Sequence, residues 1–161
     1  MSLVSRLLPP ADVLLDLQVS SKKRLFEQVG LLFENHHGIA RSVVYDSLFA
    51  RERLGSTGLG QGIAIPHGRI KGLKEAMGAV VRTRQPIPFD APDGQNVQLI
   101  FVLLVPERAT DLHLQILSEL AQMFSDPDLR TQLLQAASAE TLHALITGWQ
   151  PHAANQHSPA V

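Results

Sequence analysis

Val97-Gln98-Leu99-Ile100-Phe101-Val102-Leu103-Leu104-Val105-Pro106 is the most apolar run in the chain, and its reading decides the fold. It is far shorter than the ~20 residues of a membrane-spanning helix. It mixes β-branched, aromatic and leucine side chains and ends at a proline, which suits a strand. With no polar alternation between Leu99 and Val105, the strand is apolar on both faces and needs cover on both. It is therefore read as the central strand of a sheet, over residues 97–105.

Before it, residues 76–83 read as another strand, while Pro86, Pro88 and Pro92 exclude helix and Asp93-Gly94 marks a turn. After it come three helices. The first covers about residues 111–125, with Thr110 or Asp111 as its cap and Leu112, Ile116, Leu117, Leu120 and Phe124 inward. Asp126-Pro127 opens the second, to about Ala137, and Ser138 caps the third, to about Ile146 before Gly148. Toward the N-terminus, residues 12–19 read as a short strand. A helix over residues 22–36 follows, capped by Ser20 or Ser21, with Leu25, Phe26, Val29, Leu32 and Phe33 on one face and Gly38 at its end. A further helix over residues 41–54 turns Val44, Leu48 and Phe49 inward and ends at Gly55. These elements make an α/β fold, an α+β sandwich whose mixed sheet is flanked by helices on both faces. Residues 1–150 form one domain, and residues 151–161, small and polar with two prolines, are expected to be disordered.

The chemistry is concentrated in Gly62-Ile63-Ala64-Ile65-Pro66-His67-Gly68-Arg69. Ile63 and Ile65 suit a short buried strand that Pro66 stops, presenting His67 on a turn. Gly68 would let the backbone approach a ligand and leave peptide N–H groups facing an anion. An accessible imidazole beside such donors suits phosphoryl transfer, acid–base work or metal ligation. The preceding Gly55-Ser56-Thr57-Gly58-Leu59-Gly60-Gln61-Gly62 lacks the Gly-Lys-Ser/Thr of a nucleotide P-loop and the spacing of a dinucleotide fingerprint, so nucleotide binding is discarded. His113 falls in the first turn of its helix, where unpaired N–H groups and the helix dipole favour an anion. Arg51 lies in the last turn of the helix before the glycine-rich stretch, where a guanidinium can hold phosphate or simply offset the dipole. Arg53 is a weaker candidate. Adjacent His36 and His37 diverge too far to chelate one metal, so a structural role is expected for them. His143 is expected to pack or be solvated, and His152 and His157 fall in the tail.

Residues 51–69, Arg51-Glu52-Arg53-Leu54-Gly55-Ser56-Thr57-Gly58-Leu59-Gly60-Gln61-Gly62-Ile63-Ala64-Ile65-Pro66-His67-Gly68-Arg69, closely resemble the phosphorylation-site signature of mannitol/fructose-type enzyme IIA domains of the bacterial phosphotransferase system, above all the stand-alone nitrogen-related regulatory branch. The likeness continues through Pro86-Ile87-Pro88-Phe89-Asp90-Ala91 and Leu103-Leu104-Val105-Pro106 to the helix carrying His113, over roughly residues 5–148. The resemblance implies the mannitol-type enzyme IIA architecture. It implies that His67 is the phosphoryl acceptor, attacking through Nε2 with Nδ1–H oriented by a backbone carbonyl. It also implies that His113 and Arg51 stabilise the phosphoryl group. The implied donor is an HPr-type phosphocarrier. The implied targets are regulatory proteins of potassium transport or sensor-kinase type, in a nitrogen-linked role. The alternative is a sugar-specific enzyme IIA that passes phosphate to a separate IIB transporter domain.

The bounds agree. A chain of 161 residues with 45% hydrophobic content and a net charge of −1 is an ordinary globular domain, without the basic excess of a nucleic-acid binder. It has no cysteine, so disulfides and thiolate metal sites are excluded and a reducing compartment is permitted. Residues 1–10 lack a signal-peptide apolar core, so a cytoplasmic protein without membrane insertion is expected. No cofactor or metal is expected, and Mg²⁺ is unnecessary where the donor is a phosphohistidine and not a nucleotide. A metal-dependent hydrolase built on His67, His113 and Asp111 or another carboxylate is less well supported, since no His-x-x-x-His or His-x-Glu spacing occurs.

Overall fold

The computed structural model describes residues 3–108 and 110–150; the expected disorder of residues 151–161 therefore concerns residues outside the described ones. The chain runs α1 (Leu3–Leu7), a short 3-10 turn (Pro10–Asp12), β1 (Val13–Leu17), α2 (Lys22–His37), α3 (Arg41–Glu52), β2 (Gly58–Gly60), β3 (Ile63–Ala64), β4 (His67–Ile70), β5 (Met77–Ile87), β6 (Val97–Pro106), α4 (Thr110–Phe124), α5 (Pro127–Gln135) and α6 (Ala139–Thr147).

β6 is the central strand, antiparallel to β5 on one side and parallel to both β3 and β4 on the other, in the sheet order β1-β5-β6-β3-β2 with β4 also on β6. Its side chains divide by alternation. Leu99, Phe101, Leu103 and Val105 pack with α1, α4, α5 and α6, while Ile100, Val102 and Leu104 pack with α2 and α3. Each face closes its own cluster, and Phe101, Leu103 and Leu104 are fully buried. The sandwich is thus the consequence of a strand with no polar face.

The helices begin and end as their caps dictate. Ser21 accepts from the Arg24 amide at the start of α2, and Gly38, at φ 70°, ends it in the left-handed region. Asp126 and Ser138 cap α5 and α6. Leu112 is an exception to the expected inward face of α4. It is 43% exposed, while Ile116, Leu120 and Met123 form the buried face of the helix. β5 continues four residues past its expected end at Thr83, tolerating Pro86 because pairing with β6 is irregular between Arg82 and Ile87. α1 is not foreshadowed by any periodic pattern; Glu119 of α4 accepts from the Leu3 and Val4 amides and so fixes it to the helical layer.

The strand does break at Pro66, with β3 ending at Ala64, but the break is only two residues long. Pro66 lacks an N–H but its carbonyl accepts from the Leu103 amide at 2.9 Å, so pairing with β6 resumes at once. His67 is therefore the first residue of β4 and not a turn residue, and Ile70 is a buried residue of the same strand. The glycine-rich stretch is likewise an antiparallel hairpin of β2 and β3, turned through Gly60, Gln61 and Gly62, all at positive φ.

Candidate active site

The break between β3 and β4 does local work. The Ile65 amide donates to the Thr57 carbonyl of the neighbouring strand, while the Ile65 carbonyl lies 2.9 Å from His67 Nδ1. A carbonyl only accepts, so Nδ1 carries the proton and the lone pair of the neutral ring is on Nε2. A skipped ladder position has become the orienting bond of the imidazole.

Alternation along β4 then sorts its side chains. Gly68 and Ile70 face α2 and α3, whereas His67 and Arg69 face the α4 side of the sheet. Gly68 is small for a reason other than ligand approach. A Cβ there would lie 2.2 Å from Ser47 Oγ, and Ser47 Oγ donates to the Arg69 carbonyl at 2.8 Å. The glycine lets α3 clamp the strand, and the idea that it frees peptide donors for an anion is set aside, since Gly68 is paired against Leu104 in the sheet.

Across from His67, the first turn of α4 places His113 with its ring centroid 5.3 Å away, edge to face at 69°. His113 Nε2 is buried and has no hydrogen-bond partner, the one such side-chain atom among the described residues. An imidazole nitrogen withdrawn from water without a partner is costly by roughly 1–3 kcal/mol, and such an atom is satisfied only when something else arrives. Both rings are held below the ordinary imidazole proton affinity. For His67, burial is the largest cause and the Arg51 charge adds to it, against the Ile65 carbonyl and the Glu52 carboxylate. For His113 the causes are burial, then His67, then Arg69. Two facing rings kept neutral are suited to nucleophilic attack by one of them.

Arg51 reaches the site from the last turn of α3, its Nη1 donating to the Gly55 carbonyl at 2.8 Å. The adjoining Glu52 carboxylate is buried and accepts from the Thr57 amide and hydroxyl at 2.9 and 2.7 Å, with Lys22 Nζ at 3.1 Å. Together these fix the 53–57 turn that joins α3 to the hairpin. Arg53, at the C-cap of α3, is exposed. The structure thus brings His67 and His113 together and places Arg51 where its charge is felt by His67. It also adds Arg69, which the sequence reading left as one more basic residue; its position two residues after His67 was the available signal, since i and i+2 share a face in a strand.

The family model described as "Phosphoenolpyruvate-dependent sugar phosphotransferase system, EIIA 2" matches residues 6–148, nearly the whole of the described chain. The chain belongs to this family. Among EIIA-2 relatives, it is 40% identical over 148 residues to a nitrogen regulatory protein of Pseudomonas aeruginosa, covering 91% of this chain and 96% of that protein. The crystal structure of nitrogen regulatory protein IIA-Ntr from Neisseria meningitidis superposes with a TM-score of 0.85 at 55% identity, over 89% of this chain and 99% of that one. A chain from the complex of enzyme IIAMTL and phosphorylated enzyme IIBMTL of Escherichia coli gives a TM-score of 0.75 at 18% identity, over 89% and 100% of the two chains. That last likeness is one of fold, and it establishes the mannitol-type enzyme IIA architecture expected from the resemblance.

The remaining histidines sit elsewhere. His36 Nδ1 and His37 Nε2 approach the two oxygens of the fully buried Asp12 carboxylate at 2.7 and 2.6 Å, and His143 Nε2 donates to the Leu8 carbonyl at 2.8 Å. Adjacent histidines do diverge along a helix, but a carboxylate with two oxygens spans the divergence. Among the described residues, no helix is long and apolar enough to cross a membrane.

Proposed function

We propose that the protein is a cytoplasmic phosphoryl carrier in which His67 takes a phosphoryl group from a phosphohistidine on an HPr-type donor. His67 Nε2 attacks phosphorus as the donor's N–P bond breaks. The electron pair of that bond stays on the donor nitrogen, the phosphoryl group is held as a new N–P bond on His67, and the proton balance is closed through solvent. The observation that carries this reading is the Nδ1 bond to Ile65, which leaves Nε2 as the lone-pair nitrogen beside an unpartnered nitrogen of His113. The loose transition state of such a transfer asks the protein for alignment and for positive charge around the transferring oxygens. Arg51 supplies the charge, and His113 Nε2, protonated, donates to an oxygen.

The modification adds close to two negative charges at a partly exposed site, enough to change which partner docks there. The names of the 40% and 55% identical relatives favour a nitrogen-linked regulatory output; the potassium-transport or sensor-kinase targets implied by the sequence resemblance are the partners proposed for it. The test is incubation with a phosphorylated HPr-type protein and the search for one acid-labile, alkali-stable phosphate per chain. Stoichiometric label lost on His67→Ala supports the reading. Label that persists in that variant refutes it.

A further inference from the structure

Arg69 is the one charged side chain that β4 sends to the same face as His67. The strand fixes it there: Gly68 is pressed against Ser47 of α3, Ser47 Oγ holds the Arg69 carbonyl, and Arg69 pairs with Val105 in the sheet. Its guanidinium is exposed and reaches the connection between β6 and α4, where Nη1 lies 3.4 Å from the Glu107 carbonyl. That is a long contact to an exposed neutral acceptor, a weak hold on a residue with five N–H donors. No carboxylate is paired with Arg69, although among the described residues Arg24, Arg41 and Arg82 each have one. The guanidinium thus sits at the entry to α4, and its charge is one of the causes that lower the proton affinity of His113.

We propose that Arg69 is a phosphoryl-binding residue, a second guanidinium that takes the oxygens of the transferring group on the His113 side while Arg51 takes them on the His67 side. This rests on the carrier reading of His67 given above. The geometry is that of a cradle drawn from three elements: α3 contributes Arg51, β4 contributes His67 and Arg69, and α4 contributes His113. A dianion arriving between the imidazoles offers Arg69 a charged acceptor in place of the Glu107 carbonyl, and charge-assisted bonds are about twice as strong as neutral ones. A single guanidinium on the α3 side would leave the oxygens facing α4 with one imidazole donor and no fixed positive charge. Because the contact is made to the group in flight, its loss belongs to the rate of transfer and not to donor docking.

The experiment measures the rate of phosphoryl acceptance from a phosphorylated HPr-type donor, as a function of donor concentration, for the wild type, Arg69→Gln and His67→Ala. The Arg69 guanidinium is exposed and its removal leaves the backbone bonds of β4 in place, so Arg69→Gln is expected to melt like the wild type. The rate at saturating donor should fall roughly tenfold to a hundredfold in Arg69→Gln, with a much smaller change in the donor concentration at half-saturation. An Arg69→Gln protein that transfers at the wild-type rate, or that changes only in half-saturation, overturns the inference while an inert His67→Ala leaves the carrier reading standing. Labelling of His67→Ala overturns both.

Discussion

Two histidine pairs in this molecule have opposite surroundings. His36 and His37, at the C-terminal end of α2, share one fully buried carboxylate, and each bonds one of its oxygens. His67 and His113, on β4 and α4, face each other with no carboxylate between them; one nitrogen is oriented by a carbonyl and another is left without a partner. The first pair is satisfied internally and pins α2 to the start of β1. The second leaves His113 Nε2 buried without a hydrogen-bond partner. Burial of a histidine is thus uninformative by itself, and what decides its use is whether its nitrogens have been given fixed partners.

The sharpest way to break this contrast is to remove one ring from each pair. His67→Ala is expected to abolish phosphoryl acceptance altogether while remaining folded, since the ring is only half-buried; mass measurement of the protein after exposure to the donor checks it. His113→Ala should still accept the group on His67 but more slowly, by about tenfold to a thousandfold, the range for loss of one positioned donor to a developing charge; quenched-flow labelling measures it. Asp12→Ala should do the reverse. It leaves the exposed His36 and the partly buried His37 without their acceptor and is expected to destabilise the fold by about 1–3 kcal/mol, read by urea denaturation, with phosphoryl acceptance per folded molecule unchanged.

A subtler test uses charge alone. Burial and Arg51 both hold the proton affinity of His67 below that of a free imidazole. If His67 carries the group as proposed, the neutral ring is the nucleophile, and the acceptance rate should stay level as pH falls through the ordinary imidazole range and decline only below it. Arg51→Gln removes one of the depressing causes and should move that midpoint upward, checked by NMR titration of the His67 ring. The same sign governs stability. The unfolded chain binds protons at His67 before the folded one does, so stability is full above the ordinary imidazole value and is lost as pH falls from there to the folded midpoint.

Much of this was legible beforehand because it depends on local chemistry. Ser21, Asp126 and Ser138 accept from the first amides of their helices as side-chain oxygens at those positions do. The unbroken apolar run of β6 forced a two-sided core. Other features were hidden because they depend on contacts across the fold. Pro66 is a strand breaker by its missing N–H, yet the Leu103 amide needed only its carbonyl. Gly68 was open to several readings, and only the position of Ser47 shows that close packing is its purpose. Leu112 fits the apolar face of α4 by spacing, but the packing around the first turn of that helix leaves it exposed.

By itself the sequence determined the class of fold, the order of its main helices and central strands, and a histidine set after a proline in a run of small and branched residues. Those follow from the polarity, branching and backbone freedom of near neighbours. Only the tertiary structure decided that the ring of His113 meets that of His67, that one of its nitrogens is stranded, and that Arg69 shares their face. The two rings are 46 positions apart in the chain, and nothing in local propensity measures a distance across a sheet.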